Sequence, residues 1–111
     1  MKYFDEERMA AIRETLEKEV LHWPGVSVKG MMGCLCYFRG RKFFAFLVTE
    51  GIVITKISQD DRVALREAVP GQPFEMAGKP TRLWKTRLMG PKDIVTIMPF
   101  VKKSYETAVE Q

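Results

Sequence analysis

The residues best suited to nucleophilic or metal chemistry are two cysteines, Cys34 and Cys36, and a single histidine, His22. Cys-x-Cys in an apolar run places both side chains on one face of a strand. It supplies at most two of the four ligands of a structural zinc, and Trp23-Pro24-Gly25 separates His22 from both. No metal and no cofactor are therefore expected. A Cys–His pair or a Ser–His–Asp triad needs a nucleophile, a base and an orienting acid brought together. His22, directly before Trp-Pro, reads as a helix-end residue, and neither cysteine adjoins a helix start or a cation that would lower its pKa. The thiols are expected to be small buried apolar groups in a reducing compartment. Gly25, Gly30, Gly33, Gly40 and Gly51 form no Walker loop and no G-x-G-x-x-G. Asp5-Glu6-Glu7 and Asp60-Asp61 read as solvated helix faces. The chain is expected to be non-enzymatic.

Binding chemistry remains. Net charge is +4, too little by itself to specify a partner, but the charge is unevenly distributed. Residues 20–49 contain no acid and carry Lys29, Arg39, Arg41 and Lys42; residues 79–92 contain none and carry Lys79, Arg82, Lys85, Arg87 and Lys92. On one sheet face, Arg39, Arg41, Lys42, Lys79, Arg82, Lys85 and Arg87 would form a basic stripe able to contact nucleic acid, with Tyr37, Phe38 and Phe43 as a stacking platform. Met31 and Met32 with Phe38, Phe43 and Trp84 could instead form an adaptable apolar surface, since methionine fits irregular partners.

The positioning elements follow from periodicity. Met9, Ile12, Leu16 and Val20 recur at steps of three and four, predicting a helix from Phe4 to Val20 that ends before Trp23-Pro24-Gly25. Val26–Val28, Cys34–Phe38, Phe43–Val48 and Ile52–Ile57 then read as strands of an antiparallel meander joined by short turns. Strict alternation puts Phe44, Phe46 and Val48 on one face and Phe43, Ala45 and Leu47 on the other, both apolar. Ile52 and Ile54 opposite Val53 repeat the pattern. Ser58 should cap a second helix facing inward through Leu65 and Ala68 or Val69, stopped by Pro70. Phe74–Met76 is a short strand or extended loop. Leu83–Leu88 alternates as an edge strand, and a last helix presents Ile94, Ile97 or Met98, Val101 and Tyr105, kinked or delayed by Pro99.

The fold class is α+β, an antiparallel meander with flanking helices packed on it, and residues 1–111 should form one domain. If helices cover only one face, the other needs a partner, and a homodimer is the simplest, through Phe43, Leu47 and Val53 or, since alternation does not say which face is outward, through Phe44 and Phe46. The acidic N-terminus lacks a signal-peptide pattern. The uncharged stretch Gly30 to Phe38 has nine residues, about half of what a membrane span requires. A cytoplasmic domain with no membrane partner is expected.

Several local features together resemble the TfoX N-terminal domain family over roughly residues 28–108. They are Met31-Met32-Gly33, Gly40-Arg41-Lys42-Phe43-Phe44-Ala45, Thr55-Lys56-Ile57, the segment from Phe74 through Gly78-Lys79-Pro80 to Trp84, and a terminal amphipathic helix with Tyr105. Gly30 and Gly33 flank two methionines where the family usually has paired glycines, and Pro99 interrupts the last helix. The resemblance implies a secretion-chaperone-like α+β fold, often dimeric, with no catalytic residues to transfer and a regulatory role of transcription or competence type. The leading expectation is an interaction domain, homodimeric or bound to another protein. A nucleic-acid-binding module using the basic stripe is the alternative.

Overall fold

A computed structural model describes residues 1–109. The chain builds α1 (Ala10–Val20), β1 (Val26–Met31), β2 (Cys34–Arg39), β3 (Lys42–Val48), β4 (Gly51–Ile54), α2 (Gln59–Ala68), β5 (Gly71–Met76), β6 (Lys79–Arg87) and α3 (Pro91–Ala108). The strands form one six-stranded antiparallel sheet in the order β1-β2-β3-β4-β6-β5. The α+β class and the meander are as expected, but β6 is not an edge strand. It pairs with β4 on one side and β5 on the other, leaving β5 outermost. Among the described residues no helix is long and apolar enough to cross a membrane.

Local chemistry explains several boundaries. α1 begins at Ala10 rather than Phe4 because Asp5 holds a separate turn: its carboxylate accepts from the amides of Glu7 and Arg8, and its own amide donates to Thr49 Oγ1. Ser58 caps α2 by accepting from the Asp61 amide, and Val69 rather than Ala68 is buried. β4 stops at Ile54, so Thr55–Ile57 lead into α2 instead of extending the strand. α3 runs unbroken through Pro99. Pro99 and Val95, whose carbonyl loses its helical partner there, both lie on the exposed side, where water can take that bond.

The helices supply residues to one core only. Ile12, Leu16 and Val20 of α1, Leu65 of α2, and Ile94, Ile97 and Val101 of α3 pack with Leu35, Tyr37, Leu47, Ile52 and Ile54. The opposite sheet face carries a second, smaller cluster of Cys34, Cys36, Phe46, Val48, Val53 and Phe74. Both faces are apolar, as the patterning indicated, but strict alternation along β3 fails. Tyr37 pairs with Ala45 and Phe38 with Phe43, leaving Phe44 as the extra residue of a β-bulge. Phe44 and Ala45 therefore both join Leu47 on the helix side, and Phe43 joins Phe46 on the other. Phe44 packs there against Trp23 and Tyr105.

Among the described residues no helix covers the second face; the sheet buries it by curling. β3 and β5 are three strand spacings apart, about 14 Å on a flat sheet. Yet the Phe46 and Phe74 rings lie 5.8 Å apart, edge to face. The N-terminal segment ties the curl. The Tyr3 amide donates to Gly33 O (2.7 Å), the Thr49 amide to Tyr3 O (2.8 Å), and the Ala77 amide to the Tyr3 hydroxyl (3.0 Å), joining three hairpin turns through one residue. Gly33 permits this approach: its φ is 76°, and a Cβ there would lie 2.9 Å from Lys2 and Tyr3 atoms.

Candidate functional site

Curling a two-faced sheet leaves an apolar cup of about 240 Å³ on the face without helices. Its floor and walls come from Cys34, Cys36 and Phe38 of β2 and from Phe43 and Phe46 of β3. Phe74 and Met76 of β5 and Leu83 of β6 close the opposite side. Met31 and Met32 line it at the β1–β2 turn. No side chain bearing oxygen or nitrogen is among them. Met32 occupies the left-handed region at φ 52° and is 66% exposed. Glycine or asparagine relieves strain at such a turn position, whereas methionine sets a flexible apolar side chain at the mouth.

Cations stand around this cup without acidic partners. Lys29 is directly opposite Cys36 in the β1–β2 ladder, and Lys79 is directly opposite Met76 in the β5–β6 ladder, so each shares the face of a lining residue. Lys56 Nζ is 5.7 Å from the centre of the Phe43 ring. None of these lysines belongs to the ion pairs found among the described residues, which involve α1, α2, α3, the segment before α1 and Glu50. The strands contain one acid, Glu75, which alternates between the lining residues Phe74 and Met76.

The suggested partner face divides. Phe43 is at the cup and 37% exposed; Val53 is on the same side but buried in the second cluster. Leu47 is 0% exposed in the helix-side core and cannot contact a partner, because the bulge reverses the alternation from which it was placed.

The basic residues do not make one stripe. The Arg39 guanidinium stacks 4.1 Å over Tyr105 and donates to its carbonyl, on the helix side. Arg41 sits at the β2–β3 turn and Lys42 opposite Arg39. Arg82 lies in the stretch of β6 where the register with β5 shifts. Lys85 lies against Gly51 and Arg87 pairs with Gly51, at the end of β4 near the β3–β4 turn, while Lys79 is beside the cup. The proposed stacking platform also splits, since Tyr37 is fully buried under the helices while Phe38 and Phe43 line the cup, and Trp84 faces Arg66 of α2 rather than the methionines. Sequence reasoning missed Tyr3, Phe74, Met76 and Leu83 as parts of the site. Their signal is the curl, which no local pattern encodes.

Among the described residues, His22 and the two thiols are not brought together. His22 is exposed just past the end of α1, whereas both thiols face the opposite side of the sheet. Burial pushes the Cys34 thiol up to about 11, with Cys36 beside it adding to the shift, and burial also raises Cys36. Labelling of Cys34 should therefore accelerate about tenfold per pH unit from 7 through about 10, where an unperturbed thiol would level off near 9. A pH series with a chromogenic disulfide reagent measures this, and a plateau below pH 9 would show exposed thiols. The sign for stability follows from the raised folded values. Stabilisation from the neutral Cys34 thiol is complete below the ordinary value of 9 and is lost as pH rises through about 11, and Cys36 contributes in the same direction. On the helix side the Tyr37 hydroxyl donates to Glu17 (2.8 Å), which also accepts from Arg13, and burial raises the Tyr37 pKa. This is a packed structural network without access to the cup.

Comparison with protein-family models, curated proteins and solved structures gives no match to this chain.

Proposed function

We propose that this chain is a non-catalytic recognition domain that receives an apolar group of another molecule in the cup. The observation that carries the reading is a cavity of about 240 Å³, walled entirely by apolar and sulfur-bearing side chains and bordered by exposed methionine. Binding sites for small molecules are concave and mostly apolar. The curl also removes the original reason for a second copy, because the second sheet face is largely buried within one chain. Two copies joined mouth to mouth would set Lys29, Lys56 and Lys79 against like charges, which favours a partner of different chemistry. A regulatory role of the kind the TfoX-like resemblance implies would then act through occupancy of this cup.

A neutral solvatochromic dye tests the reading. The wild type should bind one dye per chain with a blue-shifted emission. Cys36→Trp and, from the opposite wall, Leu83→Trp should each weaken it by at least about tenfold, since the new ring occupies the space the dye needs. Absence of binding to the wild type, or equal binding by both folded variants, would overturn it.

A further inference from the structure

The walls and the charges of the cup limit what can enter it. A peptide backbone inside would leave its N–H and C=O groups without partners, because no lining side chain can hydrogen-bond strongly. The polar atoms of an occupant must therefore gather at one end, outside the cup. Three lysines stand next to lining residues, Lys29 opposite Cys36, Lys79 opposite Met76 and Lys56 near Phe43, and none of them is in an ion pair among the described residues. The scale of the apolar part follows from volume. An apolar cavity of about 150 Å³ stays dry and accepts benzene, so about 240 Å³ corresponds to roughly ten carbons. Methionines at the mouth adapt to a flexible chain more readily than rigid walls would.

Resting on the reading of the cup as a binding site, we infer that its occupant is a small amphiphilic anion, with an alkyl or aryl body of about ten carbons in the cup and a carboxylate or phosphate head outside it, attracted by the unpaired lysines next to the lining residues. The head is held by charge rather than by a fixed hydrogen-bonding pocket, so either head group suffices and exposed lysines supply the attraction. The chemistry excludes cationic amphiphiles of the same length by repulsion at the rim.

Calorimetric titration with hexanoate, octanoate, decanoate and dodecanoate below their micellar concentrations tests the volume. Affinity should rise about fourfold per methylene up to about ten carbons and then stop rising. Decanoate and decyl phosphate should each bind at least about tenfold more tightly than decyltrimethylammonium. That preference should fall toward unity in Lys29→Gln/Lys79→Gln and at 0.5 M salt. The two substitutions face water, so the variant should keep the wild-type melting curve. Comparison of carboxylate with phosphate identifies the preferred head. A cationic amphiphile binding as well as the anions, or affinity that rises from decanoate to dodecanoate as steeply as from octanoate to decanoate, would overturn the inference. Displacement of the neutral dye separates it from the reading beneath it. If the dye binds and decanoate does not displace it, the cup takes an apolar group but not this one, as for an apolar anchor on a protein. If neither binds, both fall.

Discussion

Leu47→Glu should unfold the domain, whereas Phe43→Glu should leave it folded with its cup closed to apolar ligands. The two residues lie on one strand, four positions apart, and strict alternation would give them the same environment. The bulge at Phe44 gives them opposite ones. Leu47 is fully buried, paired with Leu35 and Ile52 on the neighbouring strands and packed under helix residues. An unpaired buried charge costs several kcal/mol, on top of the lost apolar burial, against a total stability of about 5–15 kcal/mol for a domain of this size. Phe43 is more than a third exposed, and Lys56 lies near its ring. A glutamate there can reach water, so the expected loss is about 1–2 kcal/mol, while its charge faces the cup and should abolish binding of dye and anion alike. Circular dichroism melts and size-exclusion profiles of both variants decide the matter. A folded Leu47→Glu would place that residue on the outer face and remove the bulge from the account.

Much of this architecture was legible because local chemistry and packing agree. The Ser58 cap, the stop at Pro70, the inward Leu65, Ile94, Val101 and Tyr105, and the apolar character of both sheet faces could be read from residue type and spacing. What could not be read was set by pairing between distant segments. A bulge is a mismatch between two strands, so neither Phe43-Phe44-Ala45 nor Tyr37-Phe38 alone reveals which partner each residue meets. The chain crosses through α2 before β5 and β6 add to β4, and nothing in Leu83–Leu88 states that β6 rather than β5 takes the inner place. The cup depends on both features and on Tyr3, which binds turns 30, 46 and 74 residues away. Its lining methionines and aromatics were visible individually, while their convergence depended on that curl. The basic residues failed in the opposite sense, since an acid-free stretch of sequence does not keep its cations together when successive strand residues face opposite ways.

The bulge itself is held from across the core, which makes one hydroxyl disproportionately important. Ser104 of α3 is 0% exposed; its Oγ donates to Phe44 O at 2.5 Å and accepts from the Lys56 amide at 2.9 Å. Phe44 O keeps a second partner, the Thr55 amide, but the Lys56 amide has Ser104 as its acceptor. Ser104→Ala removes two hydrogen bonds and leaves a half-buried donor without this partner, for an expected loss of about 2–4 kcal/mol. In a domain of about this length that corresponds to a fall in Tm of roughly 10–25 °C. Thr107→Ala is the control: its exposed hydroxyl bonds only to Lys103 O one turn back on the same helix, so its loss should stay within about 0.5 kcal/mol. Urea unfolding of the two variants compares them directly, and equal effects would show that Ser104 does not couple α3 to the sheet. The coupling reaches the cup because the Ser104 bond fixes the residue next to Phe43, and Lys56, whose amide it holds, carries one of the cations at the rim. Ser104→Ala should therefore also weaken dye binding under conditions where the variant remains folded, although Ser104 lies on the opposite side of the sheet from the ligand.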